Sequence, residues 1–167
     1  IQMVFQDAIG SFYPRFTIEE SIMEYVCNLC STTEADKKHK VDNLLRMVGL
    51  SKEYKYRYPH ELSGGQCQRA AIARALSAQP KILVCDEATS ALDVSVQAQI
   101  VELLKEMQEK MNISYLFITH DLALVSSFCD RVAVMKNGKI VEVGDTKEVI
   151  NNPKDEYTKL LIKSAYF

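Results

Sequence analysis

Apolar residues recur at two different spacings along this chain, and the change comes near Pro80. Upstream, from residue 17 to residue 79, they recur every three or four positions, which predicts helices. Downstream, short unbroken apolar runs alternate with helical spacing, which predicts strands buried on both faces of a parallel sheet and joined by helices. The predicted strands there are 82–85, 115–118, 131–135 and 139–143, and the predicted helices are a long one through 100–107, a short one from Asp121, and two near 146–151 and 155–165.

Capping and turn residues set the limits of these elements. The upstream helices are predicted at about 17–29, at 34–48, and from Gly64 to Pro80. Thr17 is the predicted N-cap of the first helix, and Gly49 is the predicted stop of the second. Residues 51–61 are predicted to form a loop, and the Asn-Gly pair at 137–138 is a strong hairpin signal. A further apolar strand opens the chain at 1–5 without a lead-in, so we expect the chain to be a piece of a longer protein.

The order of these elements predicts the fold class. Alternating strands and helices from residue 80 onward indicate an α/β core with right-handed crossovers. The three upstream helices contain no strand pattern and therefore predict a helical subdomain inserted after the first strand. The predicted division is 1–6 for the first core strand and the residue that follows it, 7–79 for the helical subdomain, and 80–167 for the α/β core.

Composition and charge exclude several classes of protein. The net charge of −2 leaves no basic surface for nucleic acid, and no apolar run approaches the roughly 18 residues that span a bilayer. Five scattered cysteines predict a reduced, cytoplasmic protein and not a disulfide scaffold. Cys27-x-x-Cys30 could be half of a metal or redox site, but it lacks a second pair or a nearby histidine. We therefore favour a structural role for it.

Two adjacent carboxylates, Asp86 and Glu87, follow the predicted strand 82–85 at its C-terminal end. Ligands bind at this end of the strands in open α/β sheets. Two like charges are costly there unless a cation or a reacting group offsets them. A helix N-terminus that carries acidic residues on its dipole explains the pair equally well.

Residues 62–66 read Leu-Ser-Gly-Gly-Gln at the start of a predicted helix. Glycines let the backbone approach phosphate oxygens, and Ser63 with the first amides of the helix would donate to an anion. The alternative is a serine-capped helix that follows a flexible loop. Gln68-Arg69 and the alanine-rich helix that follow are harder to explain by capping alone.

Gln6 and His120 each follow a predicted strand, so both are expected at the same edge of the sheet as Glu87. A histidine at this edge could hydrogen-bond a phosphate group and sense its loss. A neutral amide could bind Mg²⁺ or position a water molecule. Taken singly, either residue is more often structural than functional.

Taken in order, these motifs resemble the nucleotide-binding domain of ABC transporters. The matching segments are a Q-loop at Gln6, a helical subdomain, a signature motif at 62–66, a Walker B strand at 82–87, a D-loop at 90–93 and a switch histidine at His120. The resemblance covers nearly the whole chain, and residues 90–99 and 153–161 resemble importers of dipeptides, oligopeptides and nickel. It implies a P-loop NTPase core, although the phosphate-binding pattern G-x-x-x-x-G-K-[ST] does not occur in these 167 residues.

The resemblance implies an ATPase that works as a head-to-tail pair of domains with ATP and Mg²⁺. Glu87 would polarise the attacking water, and His120 would sense the γ-phosphate. Asp86 and Gln6 would hold Mg²⁺, and Asp93 would communicate across the interface. The signature residues that would contact the ATP held by the partner domain are Ser63, Gly64, Gly65 and Gln66.

The resemblance also implies permease subunits in the membrane, which would dock on the Q-loop and on residues 10–30. The protein would then lie at the cytoplasmic face of the cell membrane. Without the phosphate-binding loop, this chain alone is expected to bind ATP weakly and to hydrolyse it negligibly. Two alternatives stay open: a truncated remnant that only binds a partner domain, and an ABC ATPase that serves no transporter.

Overall fold

A computed structural model describes residues 1–27 and 33–166 of the chain. The strands in these ranges are β1 (Gln2–Val4), β2 (Ile82–Asp86), β3 (Ser114–Ile118), β4 (Arg131–Lys136) and β5 (Lys139–Asp145). The helices are α1 (Ile18–Cys27), α2 (Glu34–Met47), α3 (Gly64–Ser77), α4 (Val94–Met111), α5 (Leu122–Phe128), α6 (Thr146–Asn151) and α7 (Glu156–Tyr166). They form two compact units, Ile1–Ile118 and Thr119–Phe167. The division into 1–6, 7–79 and 80–167 stays a prediction, because the first unit includes parts of all three segments.

The first unit contains a parallel three-stranded sheet in the order β1-β2-β3. Its register places Val4 beside Cys85 and Cys85 beside Phe117. The parallel pairing confirms the α/β fold class, since each pair of neighbouring strands is joined by helical segments. The first strand is shorter than predicted and ends at Val4.

The two faces of this sheet differ, which corrects the prediction that its strands are buried on both sides. Leu83 and Cys85 are fully buried on the covered face. The hydroxyl of Tyr115, on the same face, donates to the backbone oxygen of Leu104 in α4 (2.9 Å). The opposite face is apolar but exposed, and we call it the open face; its large side chains are Ile82 (39% exposed), Leu116 (55%) and Ile118 (47%). An unbroken apolar run in the sequence indicates that both faces of the strand are hydrophobic. Tertiary packing decides which of these two faces is covered by other elements.

Helices α1, α2 and α3 pack against one another. Their contact surfaces are built from side chains with no solvent exposure, such as Ile22, Leu45 and Leu76. Thr17 caps α1 as predicted, because its hydroxyl accepts the Glu20 backbone amide (3.2 Å), and the Glu20 carboxylate accepts the Thr17 backbone amide in return (2.7 Å). The predicted extension of this helix to Leu29, and Cys30 of the Cys27-x-x-Cys30 motif, lie outside the described residues.

The segment 51–61 is more ordered than the predicted loop. It contains two short 3₁₀ helices, Lys52–Tyr56 and Pro59–Glu61. Lys55 lies buried in the first of them, and its ammonium group pairs with Asp42 of α2 (2.7 Å). A helix of one or two turns is too short to show an apolar period, so the sequence pattern gives no sign of it.

The second unit is built on the antiparallel hairpin of β4 and β5. Asn137 and Gly138 form its turn with φ angles of +50° and +75°, as the Asn-Gly signal predicts. Asp121 caps α5 and Asp145 caps α6, each through hydrogen bonds from backbone amides to its carboxylate. Local sequence signals thus account for the elements of this unit.

Candidate functional site

The turn after β2 carries the two predicted acidic residues. Asp86 is the last residue of β2, and Glu87 follows it with φ of +46°, in the left-handed region. The Glu87 amide donates to the Ile118 carbonyl of β3 (2.9 Å). A left-handed non-glycine residue costs about 1 kcal/mol or more, and such strain concentrates at functional sites. Both acidic residues are half-buried at the C-terminal end of the sheet.

Gln6 joins this turn through Ser90, the first residue of the predicted D-loop. The Gln6 side-chain amide donates to the Ser90 hydroxyl (3.1 Å), although the two residues are 84 positions apart. The Ser90 hydroxyl in turn donates to the Glu87 carbonyl (2.9 Å). Because Gln6 donates through Nε2, its Oε1 is left as the acceptor atom for a metal or a water molecule. The structure therefore brings Gln6 and the Glu87 turn together, and Ser90 is the link.

The signature segment begins α3 with a reciprocal cap. The Gln66 amide donates to the Ser63 hydroxyl (3.3 Å), and the Ser63 amide donates to the Gln66 side chain (3.0 Å). The Gln66 Nε2 also donates to the Tyr54 hydroxyl (2.9 Å). The serine-capped helix that the sequence offered as the structural explanation of this motif is therefore present. Tyr54 was not identified from sequence because it lies in a 3₁₀ helix without a periodic signal.

The signature glycines lie against the beginning of α4. A β-carbon built on Gly65 would lie 2.6 Å from Val96 Cγ1, far inside van der Waals contact. A β-carbon on Gly64 would meet Leu92 at 3.8 Å, which is an ordinary distance. The signature helix and the D-loop are therefore neighbours, and Gly65 is the position that lets them approach.

Asp93 ends the D-loop as the N-cap of α4. Its carboxylate accepts hydrogen bonds from the Ser95 hydroxyl (2.6 Å) and the Val96 amide (3.0 Å). These bonds, that of Ser95 first, hold the pKa of Asp93 below its usual value. Asp93 is an exposed residue at the start of α4, in the same segment as Leu92 and Val96, which approach the signature glycines.

His120 belongs to the second unit and is described with it. It lies between Thr119 and Asp121, directly before α5, and its side chain is exposed. The Asp121 amide donates to the Thr119 hydroxyl (3.0 Å), which shapes the turn that carries the histidine. The predicted role of His120 at the edge of the sheet remains a prediction.

The residues of the first unit fit a magnesium ion that is only partly held by protein. Within the described ranges, no group of three or more His, Cys, Asp and Glu side chains could hold a metal ion. Mg²⁺ is usually bound by one or two protein oxygens together with waters and substrate phosphates. Asp86 and Gln6 offer a carboxylate oxygen and an amide oxygen, both of a kind that Mg²⁺ takes, and their role as its ligands stays a prediction.

No helix in 1–27 and 33–166 combines the length and the apolar character that crossing a bilayer requires.

Comparison with known proteins gives a consistent result. A family model described as ABC transporter matches residues 1–90. Over 99% of its length the chain is 50% identical to the glutathione import ATP-binding protein GsiA of Pectobacterium atrosepticum and 48% identical to the oligopeptide transport ATP-binding protein AmiF of Streptococcus pneumoniae. It covers 26% of the first protein and 54% of the second, so it spans about half the length, or less, of these relatives. The dimeric structure of MJ0796, a bacterial ABC transporter cassette, superimposes with a TM-score of 0.76 at 29% identity, over 86% of this chain and 62% of that one.

Proposed function

This chain belongs to the ABC transporter family, and we propose that it is part of an ATP-binding subunit that couples ATP hydrolysis to import across a membrane. The cargo we propose is a peptide, because the names of the two relatives specify oligopeptide transport and glutathione import. The observation that carries the proposal is the hydrogen-bonded link from Gln6 through Ser90 to the Glu87 turn. It assembles the Q-loop, the D-loop and the Walker B end at one place.

In this proposal the residues of the turn serve a nucleotide held at their own edge of the sheet. Asp86 and the Gln6 amide oxygen would hold Mg²⁺, which neutralises charge on the phosphates when it is bound. Glu87 would orient and polarise the attacking water. The left-handed backbone at this position sets the direction in which the Glu87 side chain leaves the main chain. His120 would bond the γ-phosphate and register its loss.

The signature residues would serve the nucleotide of a second domain in a head-to-tail pair. The hydroxyl of Ser63 and the first amides of α3 form an anion-binding helix start, and Gly64 keeps its backbone exposed. Asp93 lies beside this helix start and would report the state of one site to the other. The dimeric cassette structure supports a pairing of this kind.

A membrane subunit would dock on the loop that follows Gln6. Three large apolar side chains of this loop are exposed: Ile9 (46%), Tyr13 (62%) and Phe16 (38%). The rings of Tyr13 and Phe16 lie 5.0 Å apart and form one aromatic surface. Exposed aromatic groups of this kind are typical of protein interfaces. We propose that this contact holds the protein on a membrane subunit at the cytoplasmic face of the membrane.

The proposal is tested by complementing a complete cassette that has lost its signature. The cassette would be AmiF with arginine in place of the residue that aligns with Ser63, so that its ATP site has no functional signature opposite it. Adding this chain should restore ATP hydrolysis at the intact phosphate-binding loop of that cassette, while this chain alone shows negligible turnover. Ser63→Arg in this chain should lower the restored rate by about tenfold or more, comparable to the loss of a transition-state contact.

Ser51→Arg is the matched control, because Ser51 is likewise an exposed serine at an N-cap position, that of the 3₁₀ helix Lys52–Tyr56. It should leave the restored rate unchanged. The proposal fails if the wild-type chain restores no hydrolysis, or if both serine variants behave alike.

A further inference from the structure

Arg74 connects the last turn of the signature helix to the loop that follows Gln6. Its guanidinium donates through Nη1 to the Ser11 carbonyl (2.6 Å) and through Nη2 to the Ser11 hydroxyl (2.9 Å). A planar fork that grips one residue by two acceptors fixes both distance and orientation. The contact spans 63 positions of sequence and lies entirely within the first unit.

The guanidinium is also held by an aromatic ring of the same loop. It lies 4.3 Å from the centre of the Phe12 ring, and Phe12 is only 4% exposed. A partly desolvated cation over an aromatic face gains more than an exposed one. Arg74 is therefore fastened to two consecutive loop residues by two kinds of contact.

The loop itself is internally bonded, so it can move as one body. The Ser11 hydroxyl donates to the Ala8 carbonyl (2.7 Å), and the Gly10 amide donates to the Asp7 carboxylate (2.9 Å). These bonds join residues 7–12 into a compact turn directly after Gln6. A displacement at the exposed side of this turn would therefore reach Ser11.

The helix offers a stiff path from Arg74 to the signature. Helix α3 runs from Gly64 to Ser77, a length of about 21 Å at 1.5 Å per residue. Its first turn is locked by the Ser63–Gln66 cap, and the Cys67 amide donates to the Ser63 carbonyl (2.8 Å). A shift imposed at Arg74 is thus carried to the residues that the proposed function assigns to a partner's nucleotide.

We propose that Arg74 is a positioning residue that couples the loop 7–12 to the signature helix, so that displacement of the loop repositions Ser63. The mechanical link stands on the contacts above, and its meaning for transport rests on the proposed function. A membrane subunit that presses on the exposed side chains of the loop would act through this link on the signature.

The link is tested by perturbing one end and observing the other, in the chain alone. Asp7→Ala removes the acceptor of the Gly10 amide and loosens the loop. Hydrogen exchange of the Cys67 amide, followed by NMR, reports on the first turn of α3. Asp7→Ala should speed this exchange about fivefold when Arg74 is present and less than twofold in an Arg74→Lys background, since coupled sites are not additive.

Arg69→Lys is the matched control. Arg69 lies on the same helix and also uses two nitrogens, but they donate to Val48 and Gln99. The effect of Asp7→Ala on Cys67 should persist in that background. The inference is overturned if Asp7→Ala leaves Cys67 exchange unchanged with Arg74 present, or if it acts equally in the Arg74→Lys background.

Ser11→Ala gives a second reading if Arg74→Lys does not fold. It removes the acceptor of Nη2 together with the Ser11–Ala8 bond inside the loop, and it leaves the Ser11 carbonyl to Nη1. Compared with the Ser11→Ala chain, the added effect of Asp7→Ala on Cys67 should fall to an intermediate value. An undiminished effect would overturn the inference. Exchange requires neither nucleotide nor partner, whereas the complementation assay requires both, so the link and the proposed function fail separately.

Discussion

Ser63 shows how one side chain can cap a helix and still bind a ligand. Its hydroxyl oxygen accepts the Gln66 amide, which uses one lone pair. A hydroxyl group also carries one proton to donate and a second lone pair. The O–H group therefore stays available for a phosphate oxygen while the cap holds the side chain in place. Capping and anion binding, which the sequence presents as alternatives, are compatible at this residue.

Gly65 carries a packing constraint that can be measured. Gly65→Ala should destabilise the chain by about 1–3 kcal/mol, because the new β-carbon would overlap Val96 Cγ1 in an already packed contact. Chemical denaturation gives the free energy of unfolding. Gly64→Ala is the control, since its β-carbon would meet Leu92 at an ordinary distance and should be neutral or stabilising.

Val96→Ala provides the second half of this experiment. It removes the methyl group that Gly65→Ala would strike, so the double variant should be less destabilised than the sum of the two single ones. Equal stability of the Gly64→Ala and Gly65→Ala chains, or strict additivity with Val96→Ala, would contradict the packing explanation.

At the scale of elements, local signals in the sequence predicted most of the fold. Thr17, Gly49 and the Asn137-Gly138 pair each act through their own backbone neighbourhood, and each lies where its chemistry predicts. The same is true of the helices, whose apolar period is repeated over several turns. The features that the sequence did not predict depend on contacts between residues that are distant along the chain. The open face of the sheet and the Gln6–Ser90 bond both belong to this class.

One property of the candidate site, the backbone conformation at Glu87, could not be predicted from the sequence. Asp86 and Glu87 were identified as a pair at a strand end, and that is where they lie. The left-handed φ of Glu87 was not predicted, because glutamate has no preference for that region. Its amide bonds to the Ile118 carbonyl of the neighbouring strand, and a contact so distant along the chain leaves no local sequence signal.

Glu142 connects β5 to the segment that leads into α7 by hydrogen bonds, and we expect their contribution to stability to depend on pH. Its carboxylate accepts the amides of Lys154 (2.9 Å) and Asp155 (3.1 Å). These bonds, that of Lys154 first, hold the pKa of Glu142 below its ordinary value of 4.5. A lowered folded-state pKa stabilises above the unfolded pKa, so this contribution should be lost as the pH falls below about 4.5.

Glu142→Gln tests this connection. The variant should melt at a lower temperature than the wild type at pH 7, and the difference should shrink as the pH falls below about 4.5. Circular dichroism at a series of pH values measures both effects. Glu148→Gln is the control, because that exposed carboxylate pairs with the Lys154 ammonium and not with backbone amides. A difference between Glu142→Gln and the wild type that does not depend on pH would contradict the prediction.

At the scale of the whole molecule, the sheet of the first unit leaves two kinds of surface to solvent. One is the open face, with three large aliphatic side chains exposed by 39–55%. The other is the outer edges of β1 and β3, which pair with no further strand within residues 1–27 and 33–166. Contiguous apolar faces and unpaired strand edges both favour association with another chain.

We therefore expect the isolated chain to self-associate through its open face. Light scattering should give an apparent mass above that of the 18.9 kDa monomer, increasing with concentration. Leu116→Thr combined with Ile118→Thr should shift the distribution toward monomer, because threonine keeps the strand propensity and removes apolar area. Val94→Thr is the control: Val94 is 84% exposed but begins α4 and is not part of the sheet, so its substitution should leave the association unchanged. A wild-type chain that stays monomeric, or association unaffected by the double variant, would show that the open face does not drive self-association.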